Sequence, residues 1–397
     1  MTVAGTSSTA ALGDAAPQRR ASWWRGPRFV VEVFDGADEA LAALEAVQGG
    51  LVSTGFQSLN WLTFIYEELA PAQRALPRLV VVTERNSGGI AMILPLVIKK
   101  KRTLRVARFA DFGVSGYGAP ILGPAVLKKP RSMRRIWRAV RHALRDVDLI
   151  RLERMPAEIG GRPNPLLAVR GVAPSRRGGN SIVISGSVDD FVASLGDTAL
   201  PDVDRRTRRW QQAAALQFVR AETATQVARA YAALEEQQEA AAMPPDAWNL
   251  IDDPAYRQFY ERLVMDGSEI ELGYMFTLEA GGEAIATLFG IEYDGTFSIL
   301  RVSASAERRG GVSPDHLICI ETIRYFVARG VRRFDLRAGG KALRRSLDAR
   351  EVPLSDLIAA RDLAGLPRAT FHRVKGRLRK NKRLRAFFQA FNRRRRA

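Results

Sequence analysis

The sequence predicts an α/β (α+β) protein of two tandem domains of one type, each a mixed, mostly antiparallel sheet flanked by helices. Three observations carry this. The chain has 397 residues, and at roughly 150 residues per domain that is too long for one ordinary core and enough for two. Strand-like and helix-like segments alternate along it, interrupted at 155–180 by a loop rich in Pro, Gly and Arg that reads as a domain boundary. The third observation is an internal echo. Residues 83–96 run strand, Gly-Gly turn, Ile90-Ala91, apolar strand, and residues 277–290 repeat that order with Ile285-Ala286. A repeat at such separation points to two copies of one domain.

Regular structure is expected from Arg28 onward. Phe29-Val30-Val31-Glu32-Val33 gathers β-branched and aromatic residues and reads as a strand. Residues 37–47 follow as a helix closed by Gly49-Gly50. Residues 56–69 form a second helix, with Trp61, Phe64, Ile65 and Leu69 at helical spacing. Residues 79–83 and 90–98 are strands of a hairpin turned by Asn86-Ser87-Gly88-Gly89. A basic helix at 131–144 and a strand at 148–152 complete the first half. Beyond the boundary come a strand at 181–185 and helices at 188–195, 205–217 and 221–237. Asp253-Pro254 opens another, as N-cap and first helical residue. Residues 272–278, 284–293 and 296–305 then make an antiparallel meander, followed by a helix at 315–329, Gly330 as its cap, and a strand at 333–336. The expected divisions are a flexible leader (1–26), a first domain (27–175), a second domain (176–365) and a basic tail (366–397).

Composition narrows the function classes. Lys and Arg number 61 against 42 Asp and Glu, a net charge of +19. Thirteen of those cations lie between Leu366 and Ala397, where there is no acid. Mixed with Phe387, Phe388 and Phe391, such a tail suits an anionic membrane surface. It also suits a polyanion bound nonspecifically, or a disordered solubilising end. Cys319 is the only cysteine and there are three histidines, which argues against an intrachain disulfide, a metal centre and a secreted protein. The N-terminus lacks the basic-then-apolar order of a secretory signal, and no stretch approaches the ~20 apolar residues of a membrane helix. A cytoplasmic protein, peripheral to the inner membrane through its tail, is the expectation.

The segment after the meander carries the chemistry. Arg308-Arg309-Gly310-Gly311-Val312-Ser313 lies between a strand and a helix. Orphan N–H groups and the helix dipole at such a junction favour an anion, glycines allow close backbone approach, and guanidinium forks match phosphate. Ser313 suits the N-cap and Pro314 the first turn. A nucleotide diphosphate would fit there.

The order of meander, basic Gly loop, helix and strand resembles the CoA-binding half of the GNAT superfamily. That family's loop follows Arg/Gln-x-x-Gly-x-Gly/Ala, which this chain matches in part, with the glycines closer together. More specifically, residues 29–363 resemble GNAT-like proteins of the CelD/BcsL (cellulose biosynthesis) type, relatives of FemAB-like aminoacyl transferases. Phe56-Gln57-Ser58-Leu59-Asn60-Trp61, Ile93-Leu94-Pro95-Leu96 and the arginines at 205–209 carry this likeness. So do Gly311-Val312-Ser313-Pro314-Asp315-His316-Leu317 and Phe334-Asp335-Leu336-Arg337-Ala338-Gly339-Gly340-Lys341. Asp315 stands where the family commonly has Gly, and Gly340 where it has Tyr before Lys341.

The resemblance implies two tandem GNAT-like domains and an acyltransferase using acetyl-CoA or another acyl-CoA. It implies an acceptor that is a sugar, glycan or amine of envelope or exopolysaccharide synthesis, with no metal and no nucleic acid. Arg308, Arg309, Gly310, Gly311, Val312 and Ser313 would hold the diphosphate, and N–H groups around Val302 and Ser303 would polarise the thioester carbonyl. Glu292, His316 and Asp335 are candidate bases, and Lys341 joins them as a catalytic candidate. Arg205, Arg208 and Arg209 would gather an anionic acceptor, and Asp111, Ser115 and Tyr117 would contact it from the first domain. Two rivals stay open: a FemAB-like transferase using aminoacyl-tRNA, and a degenerate scaffold at the membrane.

Overall fold

A computed structural model describes residues 24–25, 28–47, 49–101, 103–125, 130–176, 178–195, 216–240, 253–269, 272–305, 313–336 and 341–360. The first half contains β1 (Trp24–Arg25), β2 (Phe29–Asp35), α1 (Ala37–Glu45) and α2 (Leu59–Phe64). A π-helical turn (Ile65–Leu69) and α3 (Ala70–Ala72) follow, then β3 (Leu76–Glu84), β4 (Ile90–Lys101), β5 (Leu104–Phe109) and β6 (Ile121–Leu122). After α4 (Pro130–Ala143) come β7 (Leu149–Met155), β8 (Glu158–Ile159), β9 (Arg162–Pro163) and β10 (Val172–Pro174). The second half has β11 (Gly179–Val183), α5 (Val188–Leu195), β12 (Gln217–Arg220), α6 (Ala224–Ala240) and α7 (Pro254–Glu269). Then follow β13 (Gly273–Ala280), β14 (Glu283–Tyr293), β15 (Thr296–Ala304), α8 (Pro314–Val327), β16 (Arg333–Asp335), α9 (Lys341–Ser346), β17 (Arg350–Val352) and β18 (Ser355–Ala360).

The two large sheets repeat one plan. The first runs β1-β2-β3-β4-β5-β7-β18-β10, and the second β12-β13-β14-β15-β16-β11-β17. In each, antiparallel neighbours lead to a parallel pair, β5 with β7 and β15 with β16. The crossover inside each pair holds one long helix, α4 or α8. An antiparallel strand then completes each sheet, and the two halves exchange that strand. β11 follows the first half in sequence but lies between β16 and β17. β18 follows the second half but lies between β7 and β10.

Two expectations are corrected here. Residues 355–360, expected in the second domain, sit in the first sheet. The apolar run Leu357–Ala360 is too short to announce its partner, and β7 needs a mate for its outer edge. Trp24 and Arg25, expected in a flexible leader, pair with Val31 and Val30. The helix expected at 56–69 is real but irregular. Its α-helical part starts at Leu59 because Ser58 Oγ accepts from Trp61 N–H at 3.3 Å. The helix expected at 205–217 falls mostly outside the described residues, and Gln217 itself opens β12.

Hydrophobic faces dictate the stacking. α1, α2, α6 and α7 form one helical layer with a sheet on each side, joined in a single buried cluster. Leu79, Val81, Ile93 and Val97 face it from the first sheet; Met275, Phe289, Ile291 and Leu300 face it from the second. α4 covers the opposite face of the first sheet, and α5 with α8 that of the second. Trp61 sits in the middle, edge-on to Phe56 at 5.3 Å and to Phe259 of α7 at 5.4 Å. Polar ties flank it: Ser53 Oγ donates to Tyr293 Oη at 3.1 Å, Tyr256 Oη donates to Phe112 O at 2.9 Å, and Arg262 pairs with Glu68.

This shared layer makes the halves one cooperative unit. Trp61→Ala is expected to lower the unfolding free energy by about 3–5 kcal/mol, with a single urea transition followed by circular dichroism. Two separated transitions in the parent protein would contradict a shared core.

Candidate active site

The second sheet parts where the sequence places its basic loop. β15 and β16 are in register only at Thr296↔Arg333, Phe297↔Phe334 and Ser298↔Asp335. β15 then runs on to Ala304, while Leu336 N–H donates to Asn180 O of β11 at 2.8 Å. Among the described residues the pairing of β15 with β16 thus ends at Ser298, and β16 is followed only as far as Leu336. At the same level the β14–β15 register slips between Phe289 and Gly290, so that Leu300 is an extra residue on β15. Such a bulge turns the strand and re-aims the residues beyond it. Gly290 is required there, because a Cβ would lie 2.3 Å from the Phe297 ring and 2.7 Å from Ser298 O.

α8 starts at the same open end. Ser313 is its N-cap in extended conformation, φ −79°, and its carbonyl accepts from His316 N–H at 3.0 Å. The Ser313 hydroxyl makes no capping bond. Pro314 follows at the first helical position. His316 is buried, 2% exposed, and both ring nitrogens lack a hydrogen-bond partner among the described residues. Burial holds its imidazole below the ordinary value, against a smaller upward pull from Asp315. The ring is thus neutral near pH 7, able to give or take a proton. Asp335 ends β16, buried between Ser298 and Ser181 of the flanking strands.

The structure distributes the other sequence-derived candidates widely. Ser303 is buried on the inner face of β15 opposite Thr287, and Val302 packs on the outer face. Arg308, Arg309, Gly310, Gly311 and Val312 lie outside the described residues, as do Gly340 and Arg205, Arg208 and Arg209. Lys341 opens α9. Glu292 lies on β14 one residue from the level of Ser298, with its carboxylate engaged in the following turn. It precedes the β14–β15 turn, where its Oε1 accepts from Gly295 N–H at 2.9 Å. It pairs with Phe297, about 20 Å of strand away from Ser303. Cys319 is buried in α8 and burial pushes its thiol up, in keeping with a core residue.

The first sheet shows what closes such an opening. β5 and β7 are likewise in register for three pairs, Val106↔Leu149 to Arg108↔Arg151. Here the loop after β5 folds back onto β7. Arg154 pairs with Asp111 and donates to Ser115 O at 2.7 Å, and Gly118 N–H donates to Arg154 O at 3.2 Å. Phe112 and Arg154 take left-handed backbone angles, φ 43° and 58°. Burial alone would raise the Asp111 carboxyl; Arg154, Arg108 and Gly113 N–H outweigh it and hold it below its ordinary range. Asp111 and Ser115 therefore face Arg154, whereas Tyr117 reaches the second half. A Cβ on Gly179 of β11 would lie 2.7 Å from Tyr117 Oη, which places that ring beside the end of β16.

A further set of polar side chains escaped the sequence reading. Tyr231, Gln237, Tyr260, Thr287 and Arg301 lie on the helical-layer side of the second sheet. Each has a buried polar atom without a partner among the described residues. The available signal was Gln237 continuing the buried stripe of Val227, Tyr231 and Leu234 on α6.

Residues 201–345 match the family model of the acetyltransferase (GNAT) domain. No curated protein matches the sequence significantly. Among solved structures, FemX superposes with a TM-score of 0.55 at 11% identity, over 80% of this chain and 95% of that one. A conserved protein of unknown function from Bacteroides thetaiotaomicron superposes at 0.50 and 9% identity, over 81% and 97%. A tandem GNAT protein from the clavulanic acid biosynthesis pathway gives 0.47 at 13% identity, over 84% and 99%. Identities this low are a likeness of fold. The match covers part of the second half of the chain and supports an acyltransferase, and the fold around it is a mixed α/β architecture with two large sheets.

Disrupting the Asp111–Arg154 pair tests the closed state of the first sheet. Asp111→Asn is expected to cost about 3 kcal/mol by stranding Arg154. Because the folded carboxyl titrates below its ordinary value of 3.8, the parent's advantage over Asp111→Asn is complete above that value. It fades as pH falls through the folded one. Urea midpoints of both proteins between pH 7 and 3 check this; a constant gap would refute it.

Proposed function

We propose that the chain moves an acyl group from acetyl-CoA or another acyl-CoA to a hydroxyl or amine of a sugar or glycan intermediate of envelope or exopolysaccharide synthesis. One observation carries the donor half of this reading. β15 leaves β16 at a bulge, directly before a basic glycine loop and the N-terminus of α8. The parted strands give a thioester room between them, and the helix start offers N–H groups to a diphosphate.

In this reading Arg308, Arg309, Gly310, Gly311, Val312 and Ser313 hold the diphosphate. Backbone N–H groups near Val302 and Ser303 polarise the thioester carbonyl as it becomes an oxyanion. The acceptor's hydroxyl or amine attacks that carbonyl, the carbon–sulfur bond breaks, and CoA leaves as the thiol. Asp335, opposite Ser298, or His316, in the first turn of α8, takes the acceptor's proton. Lys341, the first residue of α9, is the candidate to balance the leaving thiolate. The acceptor class rests on the sequence likeness to CelD/BcsL-type proteins, and Tyr117 brings the first domain to the acceptor's side. No helix among the described residues is long and apolar enough to cross a membrane. In this reading the cations of the sequence at 366–397 hold the enzyme peripherally on an anionic membrane surface.

The sequence likeness to FemAB-like aminoacyl transferases makes aminoacyl-tRNA the rival donor, and one experiment separates the two. Thermal unfolding is followed with acetyl-CoA, longer acyl-CoAs, CoA alone and tRNA. Binding to the native state raises the melting temperature by mass action, worth about 2.7 kcal/mol at a hundredfold excess over Kd. The expected result is a rise with CoA compounds that disappears in Arg308→Glu/Arg309→Glu. A rise with tRNA alone would transfer the reading to the aminoacyl chemistry, and no response to any of them would leave a scaffold.

A further inference from the structure

The helical-layer side of the second sheet holds a set of polar atoms that the acyl-donor site does not use. Thr277, Thr287 and Ser303 form one cross-strand row on β13, β14 and β15, and all three are buried. One register step along, Arg301 lies opposite Phe289, and its guanidinium stands 5.9 Å from the Tyr260 ring of α7. Tyr260 in turn packs edge-on to Phe289 at 5.1 Å. Tyr231 of α6 lies close enough to Tyr260 for the two phenols to interact electrostatically. Gln237, two turns further along α6, donates from Nε2 to Ala284 O of β14 at 2.8 Å. Helices α6 and α7 therefore press three polar side chains, Tyr231, Gln237 and Tyr260, against the inner face of the bulged strands, where Thr287 and Arg301 stand.

The hydrogen-bond accounting is unusual. Tyr231 Oη, Tyr260 Oη, Gln237 Oε1, Thr287 Oγ1 and Arg301 Nε are all buried with no partner among the described residues. Tyr231, Tyr260 and Thr287 are at most 2% exposed, and Gln237 5%. Buried polar atoms are nearly always bonded. Stranding even one costs a sizeable fraction of a domain's whole stability. Five on one face of one sheet read as a recognition surface rather than as defects of packing. Its chemistry is specific. Four neutral groups that give or accept hydrogen bonds, and one cation, match a molecule dense in hydroxyls. A greasy chain would leave them unsatisfied, and a bare ammonium, which only donates, would leave the Arg301 N–H unmet.

We infer that Tyr231, Gln237, Tyr260, Thr287 and Arg301 form a binding site for a hydroxyl-rich acceptor, a sugar, on the inner side of the second sheet. The acceptor role rests on the acyl-transfer reading above, whereas the binding itself does not. The site lies on the strands whose bulge would face the thioester, so a hydroxyl or amine held by this set approaches the carbonyl from the side opposite α8. Arg301, on the bulged stretch itself, is placed to take an anionic or carbonyl substituent of the sugar.

The test uses the full chain without CoA, so it fails separately from the donor reading. Tyr231→Phe, Tyr260→Phe and Thr287→Val are combined, removing hydroxyls while nearly keeping shape. In buffer the triple variant is expected to melt at or above the parent's temperature, since it loses groups that lack protein partners. Glucosamine at tens of millimolar is expected to raise the parent's melting temperature, and propylamine, an amine without hydroxyls, to leave it unchanged. Calorimetric titration of glucosamine into the variant is expected to show affinity at least about tenfold weaker. Three results would overturn the inference: a variant that melts well below the parent, glucosamine without effect on the parent, or propylamine acting as strongly as glucosamine.

Discussion

The early end of one parallel pairing shapes the second sheet. β16 is bonded to β15 only from Arg333 to Asp335, while on its other edge it stays with β11, where Leu336 N–H is given to Asn180 O. Beyond Ser298 β15 keeps β14 as its described neighbour and runs on toward the basic loop and α8. The bulge at Leu300 and the glycine at 290 fall at the same level, so strand departure, strand twist and helix start coincide. Acyl transfer needs that coincidence, because the diphosphate, the carbonyl and the attacking group must be held in one short line.

β11 is supplied by the junction between the halves, and this ties the site to the whole molecule. The same segment that pairs with β16 also presents Gly179 to Tyr117 of the first half. The reciprocal strand, β18, completes the first sheet from the far end of the second half. Exchanged strands and a helical layer buried from both sides mean that neither sheet keeps its core alone. The first sheet's parallel pair is bridged by Arg154, Asp111 and Ser115, and the left-handed backbone of Phe112 and Arg154 marks stored strain. Two copies of one plan have thus diverged: after its parallel pair one is bridged by its own side chains, while the other leads into the basic Gly loop of the sequence.

Much of this was legible in the sequence because it rests on local signals. Alternating apolar residues located the meander at 272–305 and the hairpin at 79–98, and the shared Gly-Gly turns exposed the duplication. Ser313-Pro314 announced the start of α8, and Gly330 its end. The exchange of β11 and β18 was not legible, since short apolar strands such as Leu357–Ala360 carry no record of their partner. Glu292 reads as a candidate base from charge on a strand, yet its carboxylate holds a turn. Asp111 reads as an acceptor contact, and the partner that occupies it, Arg154, lies on another strand. The polar set under α6 and α7 was hidden because single Tyr, Thr and Gln residues inside apolar stripes look like ordinary core. Only the absence of partners among the described residues distinguishes them.

Amide hydrogen exchange with and without acetyl-CoA tests the central claim most directly. If the parted strands of the second sheet hold the donor, acetyl-CoA should slow exchange at Val302, Ser303 and the first turn of α8 from Asp315 to Leu317, and leave β5 and β7 of the first sheet unchanged. Protection confined to the first sheet, or none in either, would contradict it.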